Sequence, residues 1–221
     1  MKQFPLFISP SVLFAFASLA ILTGTASATT IANLATGQDG SGNIQTTSGA
    51  SDANWTQSVT SGAAQVVISS SADWYGGWLA DDTTSAWIAP NAGITNNGPA
   101  PYTFTDTFNT SGYQLSSLAI SGGMWAIDDG GTVSLNGNLL STVGSGAWGG
   151  LTAFSVPNSD FVSGVNTLTI TLTDSDEFLE AVRLEGTVTG TAVVTGTPEP
   201  ATVLLSAAGL AALAFRHKAR R

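Results

Sequence analysis

Cysteine is absent from this 221-residue chain. No disulfide can staple the fold, and thiolate catalysis and cysteine metal sites are excluded. Histidine occurs once, as His217 near the C-terminus. The rest of the chain therefore lacks the usual base for a serine nucleophile and the imidazole ligands of zinc. Basic residues are nearly as scarce. Of the six, Lys2 and four beyond residue 215 lie at the ends, leaving Arg183 alone between residues 29 and 200. All fifteen acidic residues fall in that same interval. A body so acidic repels DNA, RNA and anionic lipid, so no nucleic-acid partner is expected. With no lysine there, Schiff-base chemistry is excluded too.

The only common catalytic device left is a carboxylate pair. Glu185 together with the acid-rich stretch Asp174–Glu180 is the one place to look for it. Glycoside hydrolysis needs two carboxyls ~5–9.5 Å apart across a sugar cleft, and nothing in the spacing supplies that. The chain is expected not to be an enzyme, with a carboxylate-dependent glycan hydrolase or a purely structural matrix component as the alternatives.

Both ends carry apolar segments. Lys2 precedes an apolar stretch through Leu22, and then Ala26-Ser27-Ala28 forms an A-x-A pattern. This predicts a secretory signal peptide over 1–28, cut after Ala28 by a signal peptidase. At the other end Pro198-Glu199-Pro200 precedes an uncharged run from Ala201 to Phe215 and the basic cluster RHKARR. The prolines keep the triplet extended. A helix over the apolar run would reach roughly 22 Å, short of the ~30 Å hydrocarbon core, with flanking Arg and Lys able to snorkel. The positive-inside rule keeps that cluster cytoplasmic and the body outside. The three parts in this order resemble the PEP-CTERM sorting signal. That resemblance implies recognition by a membrane-embedded exosortase, a transient anchor through the short transmembrane helix within the 198–221 signal, and delivery to the cell surface or extracellular matrix.

Between the ends, Gly, Ser, Thr and Asn punctuate short apolar runs with no sustained helical stripe. Thr167–Thr173 alternates Thr with Leu168, Ile170 and Leu172, as expected of a half-buried strand. Tyr102–Phe108 alternates likewise, except that Asp106 falls on the apolar parity, which calls for a bulge or a partner. Further strands are expected at Gln65–Ser69, Leu118–Ser121, Met124–Asp128, Thr132–Leu135, Ala153–Val156 and Val182–Val188. Asn136-Gly137 reads as a type I′ hairpin turn. Ala35–Gly62, rich in Gly, Ser, Thr and Gln, reads as loop or a loosely held strand. The fold class expected is all-β, an antiparallel β-sandwich over 29–190 with a linker at 191–197.

Trp87-Ile88, the aromatic strand from Tyr102, Trp125 leading to Asp128, the Val133–Gly137 hairpin and the closing strand around Arg183 are similar to galactose-binding-like jelly-roll domains. The resemblance covers roughly 86–188. It implies a module that binds carbohydrate or packs against another module.

Two sets of residues are candidates for binding. Trp74, Tyr75, Trp78 and Trp148 lie in glycine-bearing stretches, where exposed rings stack on sugars; the acidic body favours a neutral polysaccharide. Trp87 and Trp125 read as core instead. Asp128, Asp129, Asp174 and Asp176 are candidate ligands of a structural calcium ion, which needs about 6–8 oxygens. The competing reading is ordinary turn chemistry and solvated acid.

Overall fold

The computed structural model describes residues 27–69, 76–93, 100–174, 180–194 and 200–218. The signal segment up to Ala26, together with Pro198 and Glu199, lies outside them. Eleven strands form one antiparallel sheet. They are β1 (Ala28–Asn33), β2 (Ser51–Gln57), β3 (Gly62–Val67), β4 (Trp87–Ala89), β5 (Tyr102–Asn109), β6 (Ala119–Asp128), β7 (Gly130–Leu135), β8 (Asn138–Val143), β9 (Thr152–Ala153), β10 (Val165–Asp174) and β11 (Ala181–Thr191). A single helix, α1 (Pro200–Lys218), follows.

The sheet runs β8-β7-β10-β5-β2-β3-β4-β11-β6-β9, with β1 added on β11. It curls over into a β-sandwich, and β2 is the strand that joins the two layers. Its ladder with β5 is short, reaching only Thr56↔Thr105 and Gln57↔Phe104. Between the layers lies the main core: Leu168, Ile170 and Leu172 from β10, Phe104 from β5, Trp125 and Ile127 from β6, and Val182 and Leu184 from β11 are all fully buried. The period-2 alternation in sequence makes this face, as expected for strands with one side inward.

A smaller cluster occupies the outer side of the β3-β4-β11-β6 layer. Val67, Trp87, Ala89, Ala126 and Ala181 are the out-of-phase residues of those strands, and Trp78 lies over them. That layer is covered on both faces.

The expected hairpin turn holds in detail, and two strand expectations change. Asn136 and Gly137 have φ of 52° and 84°, the left-handed pair a type I′ turn requires, and they join β7 to β8. Leu118–Ser121 and Met124–Asp128 are one strand, not two. Its register with β11 steps from Met124↔Glu185 to Ser121↔Thr187, a bulge accommodated by Gly122 at φ 67°. Of the expected Ala153–Val156 strand only Ala153 is in a strand, the two-residue β9 that begins at Thr152.

The Ala35–Gly62 stretch is where the structure departs most. It contains β2, and Trp55 in β2 is fully buried with its indole N–H donating to the Leu34 carbonyl at 3.0 Å. The polar run SDANWTQ hides a strand because its inward positions include Asp52 and Gln57 beside a single large apolar residue. Of the two explanations for the parity break at Asp106, the structure shows a partner, the Thr107 amide, and no bulge. The β5–β10 ladder has no bulge, running unbroken from Val165↔Asn109 to Leu172↔Tyr102. Asp106 simply stays inside, 6 % exposed.

Helix α1 ends in Arg216, His217 and Lys218, and the Arg and Lys are cations placed favourably at the negative end of the helix dipole. No helix among the described residues is long and apolar enough to cross a membrane.

Candidate functional site at the Asp128 end of the sandwich

Strand order brings Asp128, Ala181, Tyr102 and the loop after Val143 to one end of the sandwich, because Asp128 pairs with Ala181, Leu172 with Tyr102, and Gly131 with Val143. Of the four candidate aromatic residues, Trp74 and Tyr75 lie outside the described residues. Trp78 is not the exposed ring that its glycine-rich setting suggests. It is 4 % exposed and stacks on Trp87 with centroids 4.8 Å apart and planes at 24°. Its indole N–H donates to Asp128 Oδ2 at 2.7 Å. The glycines around Trp78 let the loop fold down on the sheet and do not lift the ring away from it.

Trp148 keeps part of its surface. It sits in a short 3-10 turn, Ala147–Gly149, and packs half-buried against the outer cluster beside Leu79 and Leu151. The Leu79 amide donates to the Trp148 carbonyl at 2.9 Å, tying the two covering loops together. Gly144, Ser145, Gly146, Gly149 and Gly150 around it are exposed.

Among the four candidate calcium ligands, Asp128 is engaged by the Trp78 indole and Asp129 follows it across a cis peptide bond. Asp174 ends β10, with its side chain outside the description, and Asp176 lies in 175–179, also outside it. No group of three or more potential metal-binding side chains occurs among the described residues. Glu180, fully buried, joins Asp128 and Asp129 around Tyr102. Burial, and then the charges of Glu180, Asp128 and Asp129, hold the Tyr102 phenol far above its usual range.

Two polar clusters were not legible as sites. The first centres on Arg183, which is fully buried. Its Nε donates to Ser85 Oγ at 2.6 Å and its Nη1 to the Ala80 carbonyl at 2.6 Å. Nη2 lies 2.7 Å from Asp82 Oδ2 and 3.3 Å from Glu185 Oε1, and Ser85 Oγ donates to that same Glu185 oxygen at 2.8 Å. Burial raises the Asp82 pKa, but the Thr84 and Ser85 amides and Arg183 outweigh it and leave the carboxyl below its ordinary value. A lone base among fifteen acids was the available signal.

The second cluster is a pair of inward carboxyls. Asp52 is 3 % exposed and accepts from the amides of Gly37 (2.6 Å), Asn54 (2.8 Å) and Trp55 (2.9 Å). Burial nevertheless pushes its pKa up. For Asp106, burial first and the Asp52 charge second raise the pKa to about 7, against one hydrogen bond from the Thr107 amide. The parity break at Asp106 was the one hint in the sequence.

Residues 197–221 match the PEP-CTERM protein-sorting motif. The tail is a PEP-CTERM sorting signal. It marks an exported surface protein that is processed by an exosortase and held at the membrane by this tail before processing. Neither the curated proteins nor the solved structures hold a match to the chain.

Proposed function

We propose that this is a non-enzymatic cell-surface or matrix protein whose body is a galactose-binding-like jelly roll that takes a neutral polysaccharide at Trp148. The observation that carries the reading is the half-buried Trp148, anchored on one side to the Trp78 cluster and flanked by exposed glycines. An indole held rigidly along one edge is a good platform for the C–H face of a sugar, and it is ordered before binding. The acid-rich body selects against anionic polymers.

The state of the carboxylates supports a non-enzymatic role. Glu185, the sequence's best partner for a glycosidase pair, is 8 % exposed and committed to Arg183 and Ser85. Asp128 is committed to Trp78. A general acid needs a carboxyl open to the glycosidic oxygen.

The test is Trp148→Ala against a neutral-polysaccharide array, alongside a thermal melt of both proteins. The reading expects weaker glycan binding with the fold retained, since part of the ring already lies in water. A parent protein that binds no neutral glycan, with Trp148→Ala costing about 3–5 kcal/mol as for a core aromatic, would reject it and make Trp148 a structural cover.

A further inference from the structure

The two ends of the sandwich differ in kind. The chain leaves it at the end opposite Asp128, after Thr191 of β11, and β1 starts at that same end because Ala28 pairs with Thr191. Four segments meet there and are bonded together. The Thr110 amide donates to Gly164 O at 2.8 Å, Gln114 N to Thr191 O at 2.9 Å, and Val193 N to Gly112 O at 2.7 Å. The Asn136 side-chain amide donates to Asp160 O at 2.7 Å.

The exposed large apolar side chains of the body gather on this end. Leu115, Val162, Val165, Val193 and Val194 belong to its loops or strand starts, and Leu139 follows the Asn136-Gly137 turn. Leu139, Val165 and Val194 are 64 %, 62 % and 64 % exposed. Val59 is the only other such residue among the described residues of the sandwich. Scattered exposed apolar residues need no explanation, whereas a set confined to one end does. Charge follows the opposite pattern. Residues 109–118, 136–137, 156–164 and 191–194 contain Asp160 and no other ionisable acid or base except Tyr113. Asp128, Asp129 and Glu180 cluster at the far end, roughly 30 Å away along β11 at ~3.3 Å per residue.

We propose that this end is a membrane-contact surface, and that the sandwich sits upright on the bilayer interface while the sorting tail is anchored. The tether requires closeness. From Val194 to Pro200 the chain spans at most roughly 20 Å even when fully extended. The segment that the sorting signal commits to the membrane thus holds this end within that distance of it, while the tether sets no such limit on the Asp128 end. Loops bearing Leu and Val with a single acid, Asp160, enter the headgroup region at little desolvation cost and gain by burying apolar surface. The acidic end is turned away from anionic lipid, which would repel it. Upright seating presents the Trp148 side to the outside. The proposal rests on the anchoring of the tail and is independent of glycan binding.

The absence of cysteine makes the test clean. Single changes Leu139→Cys, Val165→Cys, Ser145→Cys and Gly209→Cys are introduced into the full chain and labelled with a polarity-sensitive dye. Each protein is reconstituted in phosphatidylcholine vesicles carrying a lipid-attached quencher near the headgroups. The expected result is quenching several-fold stronger at positions 139 and 165 than at 145, with the tail label at 209 also quenched. A quenched tail with equal, weak quenching at 139, 165 and 145 overturns the seating while leaving anchoring intact. No quenching even at 209 overturns both. A dye response at 139 and 165 that follows protein concentration and not lipid overturns the membrane as occupant in favour of a second copy of the chain.

Discussion

Arg183→Met should lower the unfolding free energy by about 3–5 kcal/mol, a large share of the ~5–15 kcal/mol typical of a whole domain. The side chain is fully buried on the outer face of β11 and is held by Ser85, Ala80, Asp82 and Glu185. Methionine fills much of the space but removes the positive charge and every donor. Glu185, 8 % exposed, then keeps a buried negative charge with only Ser85 to meet it. An abandoned partner costs more than the intact pair contributes, because desolvation has already been suffered by both ions. The double change Arg183→Met with Glu185→Leu should therefore be less damaging than the single one. Denaturant unfolding of the three proteins measures both effects. A single variant within about 1 kcal/mol of the parent would show that the network is surface-like and would remove the reason for a lone base in this body.

Asp106→Asn should flatten the dependence of stability on pH and make the protein more stable than its parent at pH 8. In the unfolded chain the carboxyl titrates at its ordinary value of 3.8, and in the folded protein it is raised to about 7. A raised folded pKa means the native state holds its proton more tightly. The contribution is complete below the unfolded pKa and is lost as pH rises through the folded one. Parent stability should thus decline from about pH 4 to above pH 7, by up to about 4 kcal/mol at one pKa unit per 1.36 kcal/mol. Asp52, also raised by burial, acts in the same direction. Asp82, whose pKa is lowered, has the opposite sign, and its contribution fades only in acid, below this window. Asparagine stays neutral throughout, so the variant should match the parent near pH 4 and exceed it at pH 8. Chemical denaturation across that range is the check. Parallel profiles for the two proteins would contradict the buried-acid account.

The strands that were legible in sequence share one property: apolar and β-branched residues alternate with threonine. β10 is the clearest, where burying Leu168, Ile170 and Leu172 leaves no second register that keeps them inside. The Asn136-Gly137 turn was legible because few residue pairs accept two positive φ angles. β2 was not, since Asp52 and Gln57 occupy inward positions that only tertiary hydrogen bonds make tolerable. Local patterning carries no trace of the Gly37, Asn54 and Trp55 amides that meet Asp52. The candidate site was harder to read for a related reason. Glycine around Trp78 and Trp148 reads as freedom, yet the same small residues permit close descent on the sheet, and Trp78 takes that option. Arg183 was singular in composition, but apart from Glu185 its partners Ala80, Asp82 and Ser85 lie about a hundred residues away, beyond the reach of any sequence window. The sorting tail depends on none of this, since its order of proline, apolar run and basic end is read linearly by a membrane enzyme.

Intact-mass analysis of the protein recovered outside cells that carry an exosortase shows whether both ends of the chain are cut. An exported chain bearing a processed PEP-CTERM signal should begin at Thr29 and lack the segment following the Pro198-Glu199-Pro200 region. An extracellular species that still ends at Arg221 would contradict it.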